Sequence, residues 1–307
     1  MSDFVLKINN ITKKYRTVIV LDNISMKIKR GQIYGLIGLN GAGKSTLLKI
    51  ITGIATANAG NIELFGVHEK SLVEGSRSRI GSLVEQPAVY PNKTIYENMH
   101  INRIQKGIPG TDCIDKTLRM VDLYEDRGKK VKTLSLGTKQ RLGIAMALLG
   151  EPEFLILDEP INGMDPLKIV EIRELFKRLK NEYGVTMIIS SHILSELYQV
   201  ADVFEIIHKG KLIKEITIEK LNETCKEYLH IKVNDSAKAA VILNRVLDTS
   251  ELNIYDDKTI RLYDYLNDSA SVTEVLVNAG VRVEQIMPIG EDLEAYFTKL
   301  VGGSQYA

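Results

Sequence analysis

The chain has 307 residues, 44% hydrophobic and 26% charged, with a formal net charge of +1. A length of that order suggests about two domains, and the lack of a basic excess argues against a nucleic-acid partner held by electrostatics. Its two cysteines, Cys113 and Cys225, lie far apart and point to neither a disulfide framework nor a metal site, which fits a reducing cytosol. From Met1 to Lys7 no cationic segment leads into a long apolar one, so no signal peptide is expected. No run approaches the roughly 20 apolar residues of a membrane-spanning helix. Leu142 to Leu149 is among the longest and reads as a buried helix.

In chain order, Gln32 to Ile37 reads as a short buried strand. Gly38-Leu39-Asn40-Gly41-Ala42-Gly43-Lys44-Ser45-Thr46 follows and fits the G-x-x-x-x-G-K-[ST] pattern. Lys44 to Thr52 then reads as a helix with Leu47, Leu48, Ile50 and Ile51 inward. Strand, glycine-rich turn and helix is the context a phosphate loop requires. The glycines let successive N–H groups curl round an anion, and the helix N-terminus adds its own donors and partial positive charge. Lys44 is the expected contact to the β/γ-phosphates of a nucleotide, and the Ser45 hydroxyl a ligand of Mg²⁺.

Ile80 to Glu85 is strand-like and leads to Gln86; between Gln86 and Thr111 lie Pro87, Pro91, a helix-like stretch from Ile95 to His100, and Gly107 to Gly110. Leu134-Ser135-Leu136-Gly137-Thr138-Lys139-Gln140-Arg141 is a polar turn entering a helix. Phe154 to Leu157 is continuously apolar, as in a central strand covered on both faces. Asp158 ends it where open α/β sheets bind ligands, placed to hold Mg²⁺ directly or through water. Glu159 points differently and is placed to orient or deprotonate an attacking water.

This order of motifs, over roughly residues 1–217, resembles the ATPase subunits of ABC transporters. The resemblance implies an α/β P-loop ATPase domain with antiparallel β and helical subdomains, binding ATP with Mg²⁺. It makes Tyr15, after Lys13-Lys14, the aromatic stacked on adenine. Gln86 becomes the glutamine that touches Mg²⁺ and senses the membrane partner. Asn162-Gly163-Met164-Asp165 becomes the loop that communicates across an ATPase dimer, and His192 the histidine on the γ-phosphate. Ser135, Leu136 and Gly137 match the segment that caps the ATP of a second copy. A chain with one set of motifs then hydrolyses ATP as a homodimer or paired with a similar subunit. Leu136 replaces a usual glycine, Thr138 a glutamine, Ile161 a frequent threonine and Leu39 a frequent proline. The run Ser135-Leu136-Gly137-x-Lys139-Gln140-Arg141-Leu142-Gly143-Ile144-Ala145 resembles a subgroup of exporter ATPases similar to bacitracin transporters, which these substitutions then mark.

The resemblance further implies a separate membrane permease, docked on the subdomain after Gln86. Tyr90, Ile95 and Tyr96 are candidates for that groove or for the subdomain core. Residues 218–307 change character. Strands over Glu227 to Val233, Leu252 to Tyr255, Thr259 to Tyr263 and Val281 to Met287, and helices over Ser236 to Leu247 and Ser271 to Ala279, give a ferredoxin-like α+β order closed by a helix from Glu291 to Val301. This accessory domain is expected to serve dimer contacts, regulation or partner docking. The expected function is the ATP-hydrolysing subunit of an exporter, peripheral on the cytoplasmic face of the membrane, with peptide antibiotics of the bacitracin or lantibiotic kind as the implied cargo. The alternative is an ATP-driven switch relaying binding to a sensor kinase or translation factor.

Overall fold

The computed structural model describes residues 3–249, 251–289 and 293–303. The chain forms two compact units, Met1–Ile218 and Glu219–Ala307. The first opens with β1 (Phe4–Tyr15), β2 (Val18–Lys29), β3 (Ile33–Ile37), α1 (Lys44–Ile51) and β4 (Ala59–Leu64). It continues through α2 (Lys70–Ser76), β5 (Ile80–Leu83), α3 (Ile95–Gln105), α4 (Asp112–Met120) and α5 (Leu136–Leu148). It ends with β6 (Phe154–Asp158), α6 (Pro166–Tyr183), β7 (Thr186–Ser191), α7 (Leu194–Tyr198), β8 (Val203–His208) and β9 (Lys211–Thr217).

One sheet runs β5-β6-β7-β3-β8-β9, parallel except for β9, which returns antiparallel on β8. Every residue of β3, β6 and β7 is buried, because helices cover both faces of a parallel sheet. Phe154, Phe176 and Phe204 are fully buried here, each contributing about 1.5–3 kcal/mol of apolar transfer. The register places Ile37 beside Ser191 and Asp158 beside Ser190, so the functional ends of three strands meet at one edge. A second sheet, β2-β1-β4, is antiparallel. α3 starts at a capping box in which Thr94 and Glu97 satisfy each other's backbone N–H.

After α8 (Ile218–Cys225), the second unit holds β10 (Tyr228–Val233), α9 (Ser236–Leu247), β11 (Leu252–Asp256), β12 (Thr259–Leu262), α10 (Ser269–Asn278), β13 (Val283–Ile289) and α11 (Leu293–Gly303). Its strands pair antiparallel in the order β11-β12-β10-β13, the ferredoxin-like arrangement. Leu229, Ile231, Leu243, Ile260 and Leu276 are among the residues of its own core. α10 begins earlier than its apolar pattern suggests, because Asp268 Oδ1 accepts from Ser271 N at 3.1 Å and caps the helix. β13 begins later, because Val281 N closes back on Leu276 O at 2.9 Å. Glu291, at which the sequence pattern starts the last helix, lies outside the described residues; the helix there spans Leu293–Gly303.

By sequence, residues 219–307 carry 9 Lys and Arg against 15 Asp and Glu, while residues 1–218 carry 31 against 24. Among the described residues no helix is long and apolar enough to cross a membrane.

Candidate nucleotide site

The glycine-rich loop joins β3 to α1. At Gly38 an added Cβ would stand 2.4 Å from the Ile207 carbonyl oxygen, so only glycine fits. Gly43 has φ +112° and caps α1 without any side chain, leaving the first-turn N–H groups free of a protein cap. Gly210 N donates to Ala42 O at 3.0 Å while Gly210 O accepts from Asp22 N at 2.8 Å, which ties the β1–β2 hairpin to the loop through the β8–β9 turn. Lys44 is 5% exposed, and its Nζ donates to the Gly38 carbonyl at 2.7 Å. The same ammonium lies 3.1 Å from Glu159 Oε1.

Glu159 follows β6 with φ +46°, a left-handed conformation rare for a non-glycine residue. Its other carboxylate oxygen, Oε2, lies 2.9 Å from His192 Nδ1 and accepts from Asn162 Nδ2 at 3.1 Å. Lys44, Glu159, His192 and Asn162 thus form one cluster built from three separate stretches of chain. Asp158 beside it is buried, and its Oδ1 accepts from the Ser190 hydroxyl at 2.6 Å. The Ser190 oxygen in turn accepts from Glu159 N at 2.9 Å. Ser190 was missed by sequence reasoning; its signal is the polar pair Ser190-Ser191 ending an otherwise mainly apolar strand.

Gln86 is exposed and lines a cleft of ≈ 610 Å³ shared with Leu136, Gln140, Asp158, Glu159 and Asn162. The donor set of the Ser45 hydroxyl, the Asp158 carboxylate and the Gln86 amide is oxygen only, as Mg²⁺ prefers alongside phosphate oxygens. Among the described residues no group of three or more His, Cys, Asp or Glu could hold a metal ion.

Tyr15 sits at the end of β1 opposite Val18, half exposed, with Lys13 Nζ 4.7 Å from its ring centroid. Ser135 is the N-cap of α5, its hydroxyl accepting from Thr138 N at 3.3 Å. Leu136 is 50% exposed, and Leu136 Cδ2 would stand 3.5 Å from a Cβ at Gly163, so the leucine leans on the Asn162–Asp165 loop of its own chain. Ile95 is fully buried and belongs to the subdomain core, whereas Tyr90 is exposed and Tyr96 stacks on His100 at 6.3 Å.

Residues 21–162 match the ABC transporter family. The chain is 39% identical to the bacitracin transport ATP-binding protein BcrA of Enterococcus faecalis, over 99% of both chains. It is 44% identical to the lantibiotic transport ATP-binding protein SrtF of Streptococcus pyogenes, over 69% of this chain and 90% of that one. The dimeric, post-hydrolysis structure of the ATP-binding cassette MJ0796 with ADP and Pi superposes with a TM-score of 0.63 at 25% identity, covering 69% of this chain and 98% of that one.

Proposed function

Because this chain belongs to the ABC transporter ATPases, we propose that it energises export of a peptide antibiotic of the bacitracin or lantibiotic kind through a separate membrane permease. It is an ATPase of that family and binds nucleotide. It works as a peripheral subunit on the cytoplasmic face, and its role is resistance or self-protection. The names of the relatives support the cargo class.

The observation that carries the catalytic reading is Glu159 held between Lys44 at 3.1 Å and His192 at 2.9 Å. In the working site Lys44 and the N–H groups of α1 bind the β/γ-phosphates, and His192 contacts the γ-phosphate. Glu159 orients or deprotonates the attacking water. Ser45, Asp158 and Gln86 hold Mg²⁺, which supplies charge neutralisation at the phosphates when bound. Tyr15 stacks on adenine. The Ser135–Gly137 turn, exposed at Ser135 and Leu136 and at a helix N-terminus, caps the γ-phosphate on a second copy, so two ATPs are sandwiched in a two-fold dimer.

The test is the oligomeric state of Glu159→Gln with and without Mg-ATP, by light scattering on a size-exclusion column. A monomer that becomes a dimer only with ATP supports the sandwich. Turnover should fall roughly 10²–10⁴-fold, about 3–5 kcal/mol of barrier. Lys44→Ala should instead weaken nucleotide binding itself. A Glu159→Gln protein that turns over as fast as its parent would remove Glu159 from this role.

A further inference from the structure

The turn at Ser135–Gly137 is exposed at Ser135 and Leu136 and begins α5 with Ser135 as its N-cap. Arg141, further along α5, has a side chain only 11% exposed. Its Nη2 donates to Glu171 Oε2 on α6 at 2.6 Å, and its Nη1 to the Val121 carbonyl at 3.2 Å and Asp122 Oδ2 at 3.4 Å. Arg178, also on α6, donates to the same Asp122 Oδ2 at 2.9 Å and to the Met120 carbonyl at 2.6 Å.

The same strip continues toward the start of α6. Lys168 Nζ donates to Glu171 Oε1 at 2.8 Å and Oε2 at 3.0 Å. Those bonds from Lys168, with the charge of Arg141, hold the Glu171 carboxyl below the usual carboxylate range. A Cβ on Gly137 would stand 3.4 Å from Lys168 Cγ, so the turn lies flat on the lysine stem. Asp165 Oδ1 accepts from Lys168 N at 3.0 Å and caps α6, joining this strip to the Asn162–Asp165 loop. Leu136 touches that loop at Gly163. The first turn of α5 therefore meets Lys168 in the first turn of α6 and Gly163 in the loop before it, and an ionic strap joins the two helices further along.

A guanidinium bound at once to a carboxylate and a carbonyl fixes direction as well as distance, which a lysine at the same place would not do. We propose that Arg141 is a positioning residue: by gripping Glu171 it seats the Ser135–Gly137 turn on α6, so that this turn and the Asn162–Asp165 loop meet a second copy of the chain as one rigid edge. The inference rests on the ATP sandwich above. Arg141 touches neither nucleotide, and its effect falls on closure of the dimer and not on the protein's own phosphate loop.

The experiment uses the full-length Glu159→Gln protein and Mg-ATP, with dimer affinity by sedimentation and nucleotide affinity of the monomer by a fluorescent ATP analogue. Adding Arg141→Gln is expected to weaken the dimer by about 10-fold or more, the scale of one partly buried charge-assisted contact, with monomer affinity unchanged. Glu171→Gln, on the more exposed side of the pair, should do the same without threatening the fold. The Arg141→Gln/Glu171→Gln combination should lose less than the sum of the two single losses, since the Arg141–Glu171 link is cut in both. Arg141→Lys should recover part of the loss. A dimer as tight with Arg141→Gln as without it overturns the strap and leaves the sandwich standing. Equal losses of dimer and monomer affinity also overturn it, as general damage. Failure of Glu159→Gln itself to dimerise overturns the sandwich reading, and the strap falls with it.

Discussion

Glu159 stands in a conformation that costs a non-glycine residue on the order of 1 kcal/mol or more. It is kept there by the Ser190 hydroxyl, which accepts from its N–H while donating to Asp158 Oδ1. One buried oxygen thus aims two carboxylates in different directions. Ser190→Ala should leave nucleotide binding by the phosphate loop near its parent value and lower turnover by about 10–100-fold, the usual cost of losing a group that orients metal ligands. Affinity for Mn²⁺ in place of Mg²⁺, read by electron paramagnetic resonance, should fall with it. Unchanged turnover and Mn²⁺ affinity would rule out this role. The glycine-rich loop and Asp158-Glu159 were legible in the sequence because each is one continuous stretch whose spacing carries its chemistry. Ser190 was not, because its partners reach it across the β6–β7 ladder and no local pattern announces a cross-strand bond.

Among the elements, the β8–β9 hairpin carries a buried acid. Glu205 is 2% exposed and pairs in register with Glu215. Burial first, and then the charge and hydrogen bond of Glu215, push its carboxyl up from 4.5 to about 9. The folded chain therefore holds a proton there that the unfolded chain releases above about pH 4.5. Its contribution to stability is full below that value and is lost as the pH rises through about 9. Glu205→Gln, which cannot ionise, should raise the melting temperature at pH 8 by more than at pH 5; equal shifts at both would show that the proton is not held. The alternation of apolar and polar residues in β10 and the unbroken apolar run of β6 were readable, since burial on one face or on two writes those patterns directly. The start of α10 was set by the Asp268 cap and the start of β13 by a backbone closure, and both override periodicity. The strap at Arg141 was likewise hidden, because it joins α5 to α6 through side chains far apart in the chain.

At the scale of the whole molecule, the Met1–Ile218 and Glu219–Ala307 units have separate hydrophobic cores. Relatives such as BcrA match the chain through both units, whereas MJ0796 covers 69% of it. The division of the chain's charge then has an electrical consequence. A near-neutral total of +1 hides a unit of +7 joined to one of −6. Beside an anionic lipid leaflet the first is drawn in and the second is pushed away, over distances of roughly 10 Å at 0.1 M salt. The bilayer itself would therefore help orient the protein before any permease is met. Flotation with phosphatidylserine vesicles at low salt should recover more of residues 1–218 than of the full chain, with the difference vanishing in high salt. Equal recovery of the two would mean that the lipid field plays no part in that orientation.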